Sequence, residues 1–301
     1  MKTYILPPVI LASLALAAQG QVLVSHDLRG DMDRTNQNLP DEAAWWKGGG
    51  SAIQLNESAD GLVWLNTGGG SRMLSTNFVD NDATSTNTFN FDGLIMVTEY
   101  TFIPSNVGSG GLNTGNRFFL VNTSNATGAR FLADNTSTAN GPSVQNLTGY
   151  GVNFQVSTAM SEQALTIRKV DPTQTSTFSS NSSFTTVPTT VETSGDGKSM
   201  ASGELYTLRV ALDYTTVGLV TITAAIRDQA GTNIASVTAT DSTSVVTAFD
   251  ALMYRTGGDA DAGGSHTITH WEVTAIPEPS TYAALLGLLA LAVVVVRSRR
   301  Q

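Results

Sequence analysis

The sequence contains no cysteine. That absence excludes disulfides, thiolate zinc sites, iron–sulfur clusters and a cysteine nucleophile. Lysine is nearly as scarce, with four residues against twelve arginines and 25 acidic residues, and the formal net charge is −9. A chain this acidic lacks the Lys/Arg density that tracks a phosphate backbone, so no nucleic-acid partner is expected. With three histidines, a His-rich transition-metal site is not expected either. Charged residues make up only 14%, so polarity must come from elsewhere, and it does: 40 Thr, 28 Ser and 19 Asn, with 28 Gly. Such residues suit strands and turns and disfavour a helical protein.

The two ends differ from the middle. Lys2 precedes an apolar stretch from Tyr4 to Ala18, broken by Pro7-Pro8 and followed by small residues up to Gly20. This charged–apolar–small order predicts a secretory signal helix over 1–20, recognised by a translocon and removed by signal peptidase. At the other end, Pro277-Glu278-Pro279-Ser280-Thr281-Tyr282 leads into an apolar run from Ala283 to Val296, then Arg297-Ser298-Arg299-Arg300-Gln301. The run is short for a membrane span, but Tyr282 and a snorkelling Arg297 fit it to a thinned bilayer as a single transmembrane helix. The arginines would stay cytoplasmic. Proline cannot enter a helix interior, so Pro277 and Pro279 keep the segment before the helix extended.

This tail resembles the PEP-CTERM sorting signal of Gram-negative bacteria, through Pro277, Glu278 and Pro279, the apolar helix and the basic end. The resemblance covers residues 276–301 and implies an exosortase-type membrane enzyme as processing partner. It further implies export, a transient inner-membrane anchor, and then release or transfer to the cell surface or extracellular matrix, often with exopolysaccharide and biofilm. It implies nothing about what the remaining domain binds.

Removing Lys2, the three terminal arginines and Glu278 takes the formal charge of the middle to −12. Residues 21–275 suit one large β domain. Tyr206, Leu208, Val210 and Leu212 alternate with Thr207, Arg209, Ala211 and Asp213. Val220, Ile222, Ala224 and Ile226 repeat the pattern after a short link, which predicts a hairpin of half-buried strands. Tyr150–Ser157 and Gln163–Val170 alternate likewise, and further strand candidates are 22–28, 52–56, 62–65, 93–103, 117–122, 249–254 and 266–274. Gly-rich turns separate many of them. Residues 172–202 read as a long loop or an excursion between sheets. The expected fold is all-β, an antiparallel sandwich. The pattern from Glu204 to Thr274 is similar to the closing half of concanavalin-like (laminin-G-like) jelly rolls, which implies that the final strand pairs with strands near the N-terminus.

Candidate chemistry is sparse. Glycoside hydrolysis needs two carboxylates flanking one bond, and the glutamates are scattered singly; Glu99 and Glu272 could meet across a cleft. His266 and His270 on one strand would share a face but lie roughly 13 Å apart at about 3.3 Å per residue, too far for one metal ion. Asp259 and Asp261, in a Gly-flanked loop, could hold a structural Ca²⁺, as could Asp80-Asn81-Asp82. Trp45 and Trp46 could stack on sugar rings; if extended, their rings point to opposite faces. Trp64 and Trp271 read as core. No catalytic residue is assigned. The expected function is a non-catalytic structural or adhesive role in the envelope or exopolysaccharide layer. A lectin-like carbohydrate-binding module is the alternative, and a polysaccharide hydrolase or lyase the third reading.

Overall fold

The computed structural model describes residues 20–30, 33–48, 53–66, 72–80, 86–105, 107, 116–124, 133–134, 146–160, 164–173, 184–187, 189–193, 198–256 and 265–278. The signal segment, the apolar tail and Pro279 lie outside them. In chain order the strands are β1 (Gln21–Asp27), β2 (Trp45–Gly48), β3 (Ile53–Ser58), β4 (Gly61–Asn66), β5 (Arg72–Asn77), β6 (Phe89–Asn90), β7 (Leu94–Pro104), β8 (Asn116–Asn122) and β9 (Thr148–Phe154). They continue with β10 (Leu165–Val170), β11 (Phe184–Thr186), β12 (Thr189–Thr193), β13 (Tyr206–Asp213), β14 (Val220–Asp228), β15 (Asn233–Asp241), β16 (Ala248–Phe249), β17 (Ala251–Thr256) and β18 (His266–Pro277).

A nine-stranded sheet runs β12-β15-β14-β13-β7-β18-β4-β3, with β1 also on β18. A seven-stranded sheet runs β11-β10-β9-β8-β17-β5-β2, and β6 and β16 form a short ladder of their own. The pairings within both sheets are antiparallel. The expected hairpin forms, with Tyr206 opposite Asp228 and Asp213 opposite Thr221. β18 takes β7 along one edge, and on the other it takes β4 at its start and β1 at its end. The final strand therefore pairs with the first, as the jelly-roll resemblance implies. β18 also runs two residues past the expected domain end, placing Pro277 opposite Leu94. The stretch 172–202 proves an excursion between sheets: β11 edges the seven-stranded sheet and β12, three residues later, edges the nine-stranded one.

The inner faces share one aromatic core. Tyr100 of β7 stacks on Tyr254 of β17 at 5.7 Å, and Trp45 of β2 meets Trp271 of β18 edge-on at 5.3 Å. Trp64 and Trp271 are fully buried, as the sequence suggests. Burying each such large side chain stabilises the fold by ~1.5–3 kcal/mol. With no disulfide available, this contact between sheets closes the domain.

Candidate functional site

Three loops meet at one end of the sandwich: the β13–β14 turn, the segment joining β15 to β16, and the chain entering β7 at Asp92. Between them lies a groove of about 340 Å³, lined by Asp92, Tyr214, Thr216, Ser242, Ser244, Val245 and Thr247 among others. That size sits at the small end of ligand pockets, which span ~300–1,000 Å³. Its wall combines one carboxylate, several hydroxyls, and the apolar sides of Leu219 and Val245.

The loops are fixed by side chains, not by sheet ladders. In Asp213-Tyr214-Thr215, Asp213 Oδ1 accepts the Thr215 amide at 2.9 Å and its hydroxyl at 2.6 Å. In Asp241-Ser242-Thr243, Asp241 Oδ1 accepts the Thr243 amide at 2.9 Å. Both are Asx-turns, the conformation this spacing favours. The other oxygen of Asp241 accepts Tyr150 Oη at 2.6 Å and Lys169 Nζ at 2.7 Å. Lys169 also donates to the carbonyls of Thr243 and, at 3.0 Å, Ser244. The Val246 amide donates to Tyr150 Oη at 3.2 Å, and Tyr214 Oη donates to the Val246 carbonyl at 2.8 Å. Ser244 holds a left-handed conformation at φ 50°, which a non-glycine residue adopts only when surroundings impose it. The loop backbone is thus tied to β9 and β10 of the opposite sheet.

Electrostatics follow this geometry. Burial pulls the Asp241 carboxyl up, but hydrogen bonds from Lys169 and Tyr150 outweigh it and leave the pKa below the usual carboxylate range. Burial raises the Tyr150 phenol, and the Asp241 carboxylate beside it raises it further. Burial likewise holds the Tyr214 phenol well above its ordinary value. Both phenols are therefore donors at neutral pH. Sequence reasoning missed these residues, although the repeated Asp-x-Thr turn signal marks two of the three loops.

The residues singled out from the sequence go elsewhere. Trp45 and Trp46 do point to opposite faces, but neither is a solvent-facing sugar platform. Trp45 is fully buried in the core between the sheets, and Trp46 is 9% exposed in a second cluster with Met73, Phe119 and Met253 on the outer face of the seven-stranded sheet. Asp259 and Asp261 lie outside the described residues, as do Asn81 and Asp82. Among the described residues, no group of three His, Asp or Glu is placed to hold a metal.

Glu99 and Glu272 do meet, directly opposite on β7 and β18. They stand side by side on the open outer face of the nine-stranded sheet instead of flanking a cleft. Glu99 pairs with Arg209 at 3.2 Å, and Glu272 accepts the Thr274 hydroxyl at 2.8 Å. The two histidines do not share a face. The register of β18 shifts between Ile268 and His270, and one inserted residue reverses the side-chain alternation. His266 turns into the core, 2.5 Å from Tyr100 Oη, while His270 lies outside near Glu272 at 3.6 Å.

No protein-family model and no curated protein matches the sequence. Among solved structures, peanut lectin with a nine-residue peptide is similar at 11% identity, over 86% of this chain and 98% of that one, with a TM-score of 0.44. Arcelin-5, a lectin-like defence protein from Phaseolus vulgaris, matches at 11% identity over 85% and 99%, with a TM-score of 0.44. The exoplasmic/lumenal domain of VIP36 in its Ca²⁺/Man3GlcNAc-bound form matches at 10% identity over 85% and 89%, with a TM-score of 0.43. Identities and TM-scores this low transfer no function and no binding residue to this chain.

Proposed function

We propose that this chain is an exported, non-catalytic envelope or matrix protein whose concanavalin-like sandwich binds polysaccharide. The observation that carries the binding is the groove at Asp92, Tyr214, Ser242, Ser244 and Thr247. Sugar hydroxyls both donate and accept, so a wall of hydroxyls and one carboxylate complements them, and Leu219 and Val245 suit the C–H face of a ring. The loops are held before any ligand arrives, which spares the entropy of ordering them. The hydrolase or lyase reading gains nothing from Glu99 and Glu272, which stand on an open face with Glu99 engaged by Arg209.

Purified full-length protein should bind a panel of neutral polysaccharides saturably. Asp92→Ala and Thr247→Val should weaken that binding without lowering Tm by more than a few degrees. Absence of saturable binding to any member of the panel would overturn the reading.

Delivery to the surface rests on the tail. Pro277 ends β18 and Glu278 follows outside any strand, so the sorting tripeptide starts where the sandwich stops. That supports recognition by an exosortase-type enzyme at the membrane, after export through the translocon.

A further inference from the structure

The groove between the β13–β14 turn and the β15–β16 segment has a single charged side chain in its wall. Apart from the Tyr214 phenol, which burial keeps protonated, Asp92 is the only acid or base among the residues that line it. Asp92 is exposed, its backbone amide is bonded, and its carboxylate has no hydrogen bond or ion pair among the described residues.

That carboxylate sits on a turn fixed from several directions. Phe91 is fully buried, with its ring 4.7 Å from Phe89 and 6.0 Å from Phe249. Its amide donates to the Thr247 carbonyl at 2.8 Å, which ties the turn to another residue of the groove wall. The Leu94 amide closes the turn on the Phe91 carbonyl at 2.8 Å, and the Leu94 carbonyl accepts the Tyr214 amide at 3.0 Å. Gly93 takes φ 75° at the position where such a turn calls for glycine. The Asp92 amide donates to Asn90 Oδ1 at 3.1 Å. The backbone at Asp92 is therefore set, while its side chain is left without a partner.

No cation among the described residues answers this charge. Lys169, beside the same loop, donates to Asp241 and to the carbonyls of Thr243 and Ser244, so its charge is balanced by Asp241. The groove is left negative within a chain of formal charge −9, a field that repels uronates and sulfated sugars and draws in cations. An ammonium would add Coulomb attraction to the hydrogen bond that a neutral hydroxyl gives a carboxylate.

We propose that the groove selects amino sugars, with Asp92 as the specificity-determining residue: its carboxylate takes the ammonium of an unacetylated hexosamine unit in a polysaccharide. The hydroxyls of Ser242, Ser244 and Thr247 and the apolar sides of Leu219 and Val245 hold the ring. The inference rests on the polysaccharide reading of this groove and narrows it to a cationic glycan.

The test is calorimetric titration of the full-length protein with β-linked oligomers of equal length built from glucose, N-acetylglucosamine, glucosamine or glucuronate, and with spermidine. The titrations run at about pH 6, where the sugar amine carries its proton. At low salt the glucosamine oligomer should bind about fivefold or more tighter than the glucose oligomer, and the margin should narrow as salt rises. The N-acetyl oligomer, whose nitrogen is uncharged, should show no such margin, and the glucuronate oligomer should bind most weakly. Asp92→Asn should abolish the preference for the amine. Asp60→Asn makes the same change of charge in the exposed β3–β4 turn, beside the other end of β18, and should keep the preference. Should Asp92→Asn fold poorly, the free amine against its acetylated form on the unmutated protein still decides. A glucose oligomer that binds as tightly as the glucosamine oligomer overturns the proposal and leaves the groove reading standing; no binding of any oligomer overturns both. A preference that survives Asp92→Asn, that Asp60→Asn removes equally, or that spermidine reproduces without a sugar also overturns it.

Discussion

Tyr150 donates its phenolic hydrogen to Asp241 across 2.6 Å, joining the middle of one sheet to the end of a strand in the other. Lys169 reaches the same oxygen at 2.7 Å. One carboxylate therefore fixes both the spacing of the sheets and the loop that walls the groove.

Asp241→Asn should loosen that loop before it unfolds the domain. Losing a charge-assisted pair with a side chain this protected costs ~1.5–3 kcal/mol. Glycan affinity should fall more than Tm does, and amide exchange at Thr243 and Val246 should accelerate. Because the folded pKa is depressed, the stabilisation from Asp241 is complete above the unfolded value of ~3.9 and is lost as pH falls below it. Groove binding should thus hold at pH 5 and at pH 4, and weaken only as pH falls through the depressed folded pKa of Asp241.

His266 gives the domain a second acid sensitivity. Burial lowers its pKa to about 3, so between there and the unfolded value of ~6.5 the unfolded chain binds a proton that the folded one refuses. Stability then falls as pH drops through that window, by roughly 3 kcal/mol between pH 7 and pH 4. His266→Gln keeps a polar partner for Tyr100 and removes the titration. Denaturant melts across this range should show a flatter pH profile for the variant; an unchanged profile would reject the assignment.

Gly151→Ala should be poorly tolerated. The added methyl would overlap the Phe119 ring at 2.3 Å and the Phe118 carbonyl at 2.4 Å. Overpacking of this kind costs ~1–3 kcal/mol. Near-ultraviolet circular dichroism should report the displaced Phe119–Phe184 stack together with a lower Tm.

Glu272→Gln should stabilise the protein slightly. Glu99 and Glu272 are directly cross-strand, and like charges in that position destabilise by ~0.2–1 kcal/mol. Glutamine still accepts the Thr274 hydroxyl. Urea denaturation that shows no gain, or a loss, would mean that Arg209 already compensates for the pair.

Pro277-Glu278-Pro279 replaced by three alanines should leave full-length protein in the membrane fraction. Normal release of that variant would remove the exosortase from the account.

Strand content was legible because alternation is local. Tyr206–Asp213 and Val220–Asp228 carry their own period-2 pattern, and the hairpin between them formed as expected. The short β2 and β5 were not legible, since Trp45–Gly48 and Arg72–Asn77 become strands only by pairing with each other and with β17. The tryptophans illustrate the same limit. Alternation assigned Trp45 and Trp46 to opposite faces, but exposure depended on what covers each face, and both faces are covered.

The sequence by itself determined an acidic, cysteine-free, strand-forming chain with an apolar run near each end, because composition and periodicity act residue by residue. Tertiary structure decided which residues meet. One extra residue in β18 put His266 in the core and His270 outside it. Register alone set Arg255 against Arg117 and Glu272 against Glu99, and a contact between sheets brought Lys169 and Tyr150 to Asp241. Those partners are separated by tens of residues or more, and only the packing of two sheets against one another brings such groups within hydrogen-bonding distance.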